Sequence, residues 1–154
     1  DIILNTKYIG VTPYTEALLL AASRAQHLAE VILPALENKK IVLCDRYIDS
    51  SLAYQGYARN LGFDFVLGIN QYAALHMPDI TFYIDLDPKL GLSRINNRKD
   101  LDRLDQESVK FHDLVREGYQ KVVEKYPKRV IKINGDRPLN VIANEIIGLI
   151  KEKI

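Results

Sequence analysis

At 154 residues and 47% hydrophobic content, the chain is long enough for one domain with a sizeable core and too short for two ordinary ones. Its 21 Lys and Arg against 20 Asp and Glu leave a net charge of +1, which excludes a whole-molecule field for nucleic acid or an anionic membrane; an anion site must be built locally. No run approaches the roughly 18 apolar residues of a membrane span, no signal-peptide pattern is seen, and the lone Cys44 excludes an internal disulfide, which together predict a cytoplasmic protein. With no internal repeat, low-complexity tract or Pro/Gly/Ser-rich linker, residues 1–154 read as a single domain.

In chain order, residues 1–4 look like the end of a helix whose earlier turns are absent, so a missing segment is expected before Asp1. Thr12 and Pro13 open a long helix, with a cap residue and then proline at the first helical position. Leu18, Ala21, Ala25, Leu28 and Ile32 recur at helical spacing, and Pro34 is expected to kink or end the helix. The apolar run 41–44 predicts a strand covered on both faces, with Cys44 as a buried structural thiol. Helices are predicted over 49–57, 63–76, 88–97, 107–126 and 139–153, the last with Asp136 as a possible cap. Strands are predicted over 80–86 and 129–133, rich in β-branched and aromatic residues. Strands separated by helices predict an α/β fold with a parallel sheet, and ligands of such sheets gather beyond the carboxyl ends of the strands.

Asp45 and Arg46 directly follow the run 41–44. A strand-end aspartate suits a metal or its bound water, and a planar guanidinium holds two phosphate oxygens at once. The alternative is that the pair binds its neighbours and caps the next helix. Ser51, Tyr54 and Gln55 stand at i, i+3 and i+4, which puts a hydroxyl, a phenol and a carboxamide on one helical face able to read a ring edge and a sugar. Leu20 and Arg24, four apart on the first helix, pair an apolar surface with a guanidinium donor; a pyrimidine can pack on the first and accept from the second. Residues 94–106 carry Arg94, Arg98 and Arg103 in a polar stretch suited to a lid over donor phosphates, the alternative being a solvated charged loop. The three histidines have no ligand-like spacing, so zinc is not expected.

The stretch from Thr15 through Ser23-Arg24-Ala25-Gln26-His27, and above all Asp45-Arg46-Tyr47-Ile48-Asp49-Ser50-Ser51-Leu52-Ala53-Tyr54-Gln55-Gly56, closely resembles bacterial thymidylate kinases. Met77-Pro78-Asp79 and Asp102-Arg103-Leu104-Asp105-Gln106-Glu107 extend the resemblance from about Thr12 to the C-terminus. It implies a nucleoside-monophosphate kinase fold of the P-loop type and ATP- and Mg2+-dependent phosphorylation of thymidine monophosphate, a step toward dTTP. It also implies a homodimer. By the same resemblance Arg24 contacts the thymine carbonyl, Ser51 and Gln55 meet other polar atoms of the base, and Tyr54 lies beside the sugar. Arg46 holds the acceptor phosphate, Asp45 places magnesium, and Arg94, Arg98 and Arg103 reach toward the donor. Many members have phenylalanine where this chain has Leu20.

No Gly-x-x-x-x-Gly-Lys-Ser/Thr pattern occurs in the sequence. The resemblance puts that loop and the first strand before Asp1, so the chain by itself is expected to be inactive. The readings kept beside this one are another pyrimidine nucleoside-monophosphate kinase and an inactive nucleotide-binding or dimerisation module.

Overall fold

The computed structural model describes residues 10–95 and 102–153. The helix end expected at residues 1–4 therefore lies outside the described residues. α1 (Pro13–His27) begins as its sequence predicts: the Thr12 hydroxyl accepts from the Thr15 N–H at 3.2 Å, and Pro13 takes the first helical position. The helix does not end at Pro34. It widens into a π-helical segment (Leu28–Ile32) and resumes as α2 (Leu33–Glu37). Proline lacks an N–H and crowds the carbonyl four residues earlier, and a wider turn just ahead of it eases both problems without breaking the helix.

The strand expected over 41–44 is not formed. That segment has no regular structure, Ile41 is 69% and Leu43 84% exposed, and among the described residues no strand pairs with it. An apolar run says that a segment is fit to be covered, but a ladder also needs a neighbouring strand to supply donors and acceptors. Cys44 is exposed rather than buried, its Sγ 3.4 Å from the carbonyl oxygen of Arg46.

α3 (Ile48–Ser51) passes into a second π-helical segment (Leu52–Ala58). α4 (Phe63–Ile69) and α5 (Gln71–Ala74) divide the helix expected over 63–76 at Asn70, whose side-chain amide donates to the Val66 carbonyl at 2.8 Å. That bond takes a carbonyl the helix would use to continue. β1 (Thr81–Asp85) pairs in parallel with β2 (Val130–Asn134), Thr81 opposite Val130 and Asp85 opposite Asn134. The crossover between them includes α6 (Pro88–Ile95) and α7 (Val109–Lys125), the latter capped by the Ser108 hydroxyl accepting from the Phe111 N–H. α8 (Leu139–Lys151) has Pro138 at its cap position, so Asp136 is not the cap.

Leu28, Ile48, Leu52, Val66, Tyr83, Val122 and Val130 belong to the main core, which joins the first π-helical segment, α3, the second π-helical segment, α4, α7 and the sheet. Each fully buried aliphatic side chain of this kind contributes about 1.5–3 kcal/mol. Ala53, Phe111 and Val115 form a second cluster. α7 lies so close to the π-helical segment that a Cβ on Gly118 would come within 2.8 Å of the Ala53 carbonyl oxygen and 2.9 Å of the Tyr57 Cβ. Only glycine permits that approach, which sets how deeply α7 backs the candidate site.

Asp49, 3% exposed, pins α3 to the sheet. Both of its oxygens accept from Arg129 at 2.7 Å, and Oδ2 also accepts from the Thr81 hydroxyl at 2.9 Å. The adjacent Ser50 hydroxyl lies 2.7 Å from the Tyr119 hydroxyl, tying the same turn to α7. Two neighbouring residues of one sequence motif therefore lock the start of the π-helical segment in place.

Candidate active site

Arg24 leaves α1 toward the start of the second π-helical segment. Its Nη1 donates to Asn70 Oδ1 at 2.5 Å and its Nη2 to Ser51 Oγ at 2.9 Å, with a longer contact of 3.4 Å to the Tyr47 carbonyl. The guanidinium lies 5.6 Å from the centroid of the Tyr47 ring. Burial lowers its pKa below the ordinary guanidinium value, opposed mainly by its interaction with Tyr47. Arg24 is thus a partly desolvated cation fixed before any ligand arrives, and Leu20 is half-buried one turn earlier on the same helix.

Arg46 has a φ of 64°, a left-handed conformation that a non-glycine residue holds at a cost on the order of 1–3 kcal/mol. The turn carries its guanidinium to 5.2 Å from the centroid of the Tyr54 ring. That ring stands edge-on to Phe111 and Tyr119, at centroid distances of 6.2 and 6.3 Å. Tyr54 also lines a cleft of about 270 Å³ at the carboxyl end of β1, together with Asp87, Asp105, His112, Arg116 and Tyr119. The strained arginine, the tyrosine and the strand end thus meet where ligands of a parallel sheet are expected.

Ser51, Tyr54 and Gln55 do not share one open face. Ser51 meets Arg24, Tyr54 faces Arg46 and α7, and Gln55, 1% exposed, donates from Nε2 to Glu16 Oε1 at 2.8 Å. The spacing argument assumes 3.6 residues per turn, and Tyr54 and Gln55 fall within the wider π-helical winding.

Glu16 is the largest feature absent from the sequence reading. Its carboxylate, 1% exposed, also pairs with Arg103 and, at 3.4 Å, with Arg59, which in turn pairs with Glu107 and lies 4.3 Å from the centroid of the Phe111 ring. An acidic residue in the first turn of a helix reads as a match to the helix dipole, which conceals its part in this long-range network. Asn70 is the second. It sits where the helix breaks, and sequence alone marks it only as a polar residue in an amphipathic stretch.

Of the expected donor-side cations, Arg103 is engaged with Glu16, and Arg98 lies outside the described residues. Arg94 donates to the Gly135 carbonyl at 3.4 Å and comes within 3.6 Å of Asp136, so α6 and the loop after β2 meet at its side chain. Asp45 is exposed beside Arg46. Among the described residues no three His, Cys, Asp or Glu side chains cluster as a metal site, and no helix is long and apolar enough to cross a membrane.

Fold and site define a parallel α/β protein in which one arginine, Arg24, is fixed by Asn70 and Ser51 and another, Arg46, is presented over Tyr54 from a left-handed turn. The family model for thymidylate kinase matches residues 1–146. A thymidylate kinase of Clostridium novyi (strain NT) is 51% identical over 154 residues, covering 98% of this chain and 75% of that protein. One from Acholeplasma laidlawii (strain PG-8A) is 50% identical over 156 residues, covering 100% and 77%. The crystal structure of thymidylate kinase from Ehrlichia chaffeensis superposes with a TM-score of 0.74 at 31% identity, over 94% of this chain and 68% of that one. The chain belongs to the thymidylate kinase family, and is therefore a phosphotransferase.

Proposed function

We propose that this chain provides the acceptor site of an enzyme that transfers the γ-phosphoryl group of ATP to thymidine monophosphate, yielding thymidine diphosphate and ADP. The observation that carries this reading is the Arg24 guanidinium, fixed by Asn70 and Ser51 beside the apolar Leu20. It offers donors to a ring carbonyl next to a surface on which a pyrimidine can rest. Ser51 and Gln55 complete the base end, and Tyr54 stands beside the sugar.

Arg46 holds the acceptor phosphate, its left-handed backbone fixing where the charge is presented. The attacking phosphate oxygen and the leaving ADP oxygen lie in line across the transferred group, and the protein contributes position and positive charge rather than a covalent bond. Arg94, Arg98 and Arg103 serve the donor phosphates. Magnesium typically keeps several waters and takes one or two carboxylates with substrate phosphates, which suits the single exposed carboxylate of Asp45. Bound there, the ion would neutralise phosphate charge. The enzyme works in the cytoplasm as a homodimer, with no nucleic acid or membrane as partner.

Arg24→Ala in the full-length enzyme should weaken thymidine monophosphate binding by roughly 1.5–3 kcal/mol, the value of a hydrogen bond to a charged donor. Calorimetric titration measures this directly. Unchanged affinity would remove Arg24 from the base site.

A further inference from the structure

Arg24 is held from behind by Asn70, a residue 3% exposed at the junction of α4 and α5. A backbone carbonyl can only accept, so the 2.8 Å bond to Val66 fixes which end of the Asn70 amide is which. Its Nδ2 faces Val66, and its Oδ1 must face Arg24 Nη1, 2.5 Å away. The guanidinium is thereby stretched between Asn70 on one side and Ser51 on the other. Arginine has five N–H donors. Three are engaged among the described residues, one from Nη1 by Asn70 and two from Nη2 by Ser51 and Tyr47, which leaves the Nε–H and the second Nη1–H, pointing apart, so that one of them can serve a ligand carbonyl.

We propose that Asn70 is a positioning residue for base recognition: it holds Arg24 so that a remaining N–H donor meets a ring carbonyl, which selects thymine over cytosine. This rests on the reading of Arg24 as the base contact. Thymine presents a carbonyl at the ring position where cytosine presents an amino group, and a fixed N–H donates to the first and repels the second. A guanidinium free to swing would turn away from the amino group and lose the distinction. The bond polarity that Val66 imposes on Asn70 is thus passed through Arg24 to the ligand.

The test uses the full-length enzyme and calorimetric dissociation constants for thymidine and deoxycytidine monophosphates, in the native protein, Asn70→Ala, Arg24→Ala and the double variant. Asn70→Ala should weaken thymidine monophosphate binding by about tenfold and bring the two nucleotides closer in affinity. In the Arg24→Ala background it should have little further effect, because the two residues act as one unit. A lowered melting temperature with the affinity ratio intact would make Asn70 merely structural and overturn the proposal, leaving the Arg24 reading in place. Unchanged affinity in Arg24→Ala would instead overturn that reading, and the proposal with it. If Asn70→Ala does not fold, NMR of the Arg24 side chain in the native protein decides. Slow rotation of its Nη groups before ligand is added is the expected result, and free rotation would overturn the proposal.

Discussion

Glu16→Ala should lower folding stability by about 3–5 kcal/mol, the range seen when one member of a buried charge pair is removed. Arg103, Arg59 and the Gln55 amide all converge on that carboxylate, and alanine would leave a void where their shared acceptor stood. Urea unfolding should show a lower midpoint with an unchanged slope. A loss below about 1 kcal/mol would mean that solvent replaces the carboxylate without difficulty, as at a surface pair.

The same group predicts acid sensitivity. Burial raises the Glu16 pKa, but hydrogen bonds from Arg103 and Gln55 and the charge of Arg59 outweigh it, so the folded value lies below the ordinary 4.5. Asp85 behaves alike: the hydrogen bond from Arg116 foremost, with others from Lys132 and Tyr83, holds its carboxyl far below the ordinary 3.8. A depressed carboxylate contributes its stability in full above its unfolded pKa and loses it as pH falls through the folded one. Unfolding midpoints should therefore be flat above pH 4.5 on account of these groups and decline below it. Glu16→Ala should reduce that decline.

Arg129→Ala is the second large effect, again about 3–5 kcal/mol, because it leaves the Asp49 carboxylate buried without its cationic partner, the Thr81 hydroxyl still donating to it. Exchanging both Asp49 and Arg129 for apolar residues of similar volume should be much milder, since no charge then remains buried. Thermal denaturation of the two variants side by side distinguishes them. Equal losses would show that packing of the arginine stem, not the buried charge, holds α3 to the sheet.

These networks also mark where sequence reading succeeds and where it stops. The long first helix, the start of α3 and both paired strands follow from local signals: a Thr-Pro cap, apolar spacing and β-branched runs. The run 41–44 failed as a strand because hydrophobicity reports suitability for burial and not the presence of a pairing neighbour. Ser51, Tyr54 and Gln55 were legible as a polar group, but their directions were not. Those depend on a π-helical winding that no residue among Leu52–Ala58 announces.

Arg24 and Arg46 were legible as anion or carbonyl donors from their type and place. What fixes them was not. The Asn70 amide lies 46 residues from Arg24 in sequence, and the left-handed turn at Arg46 has no glycine or asparagine to signal it. Glu16 and Arg103 are 87 residues apart, and no periodicity links them. Second-layer partners of this kind come from the fold, so residues of ordinary appearance acquire their roles only once helices are packed.

The most direct measurement is steady-state turnover by the full-length enzyme with ATP and Mg2+, comparing thymidine monophosphate with deoxycytidine monophosphate. A clear preference for thymidine monophosphate in kcat/KM, with thymidine diphosphate and ADP formed in equal amounts, is the predicted result. Equal or better turnover of deoxycytidine monophosphate would contradict the assignment of the acceptor.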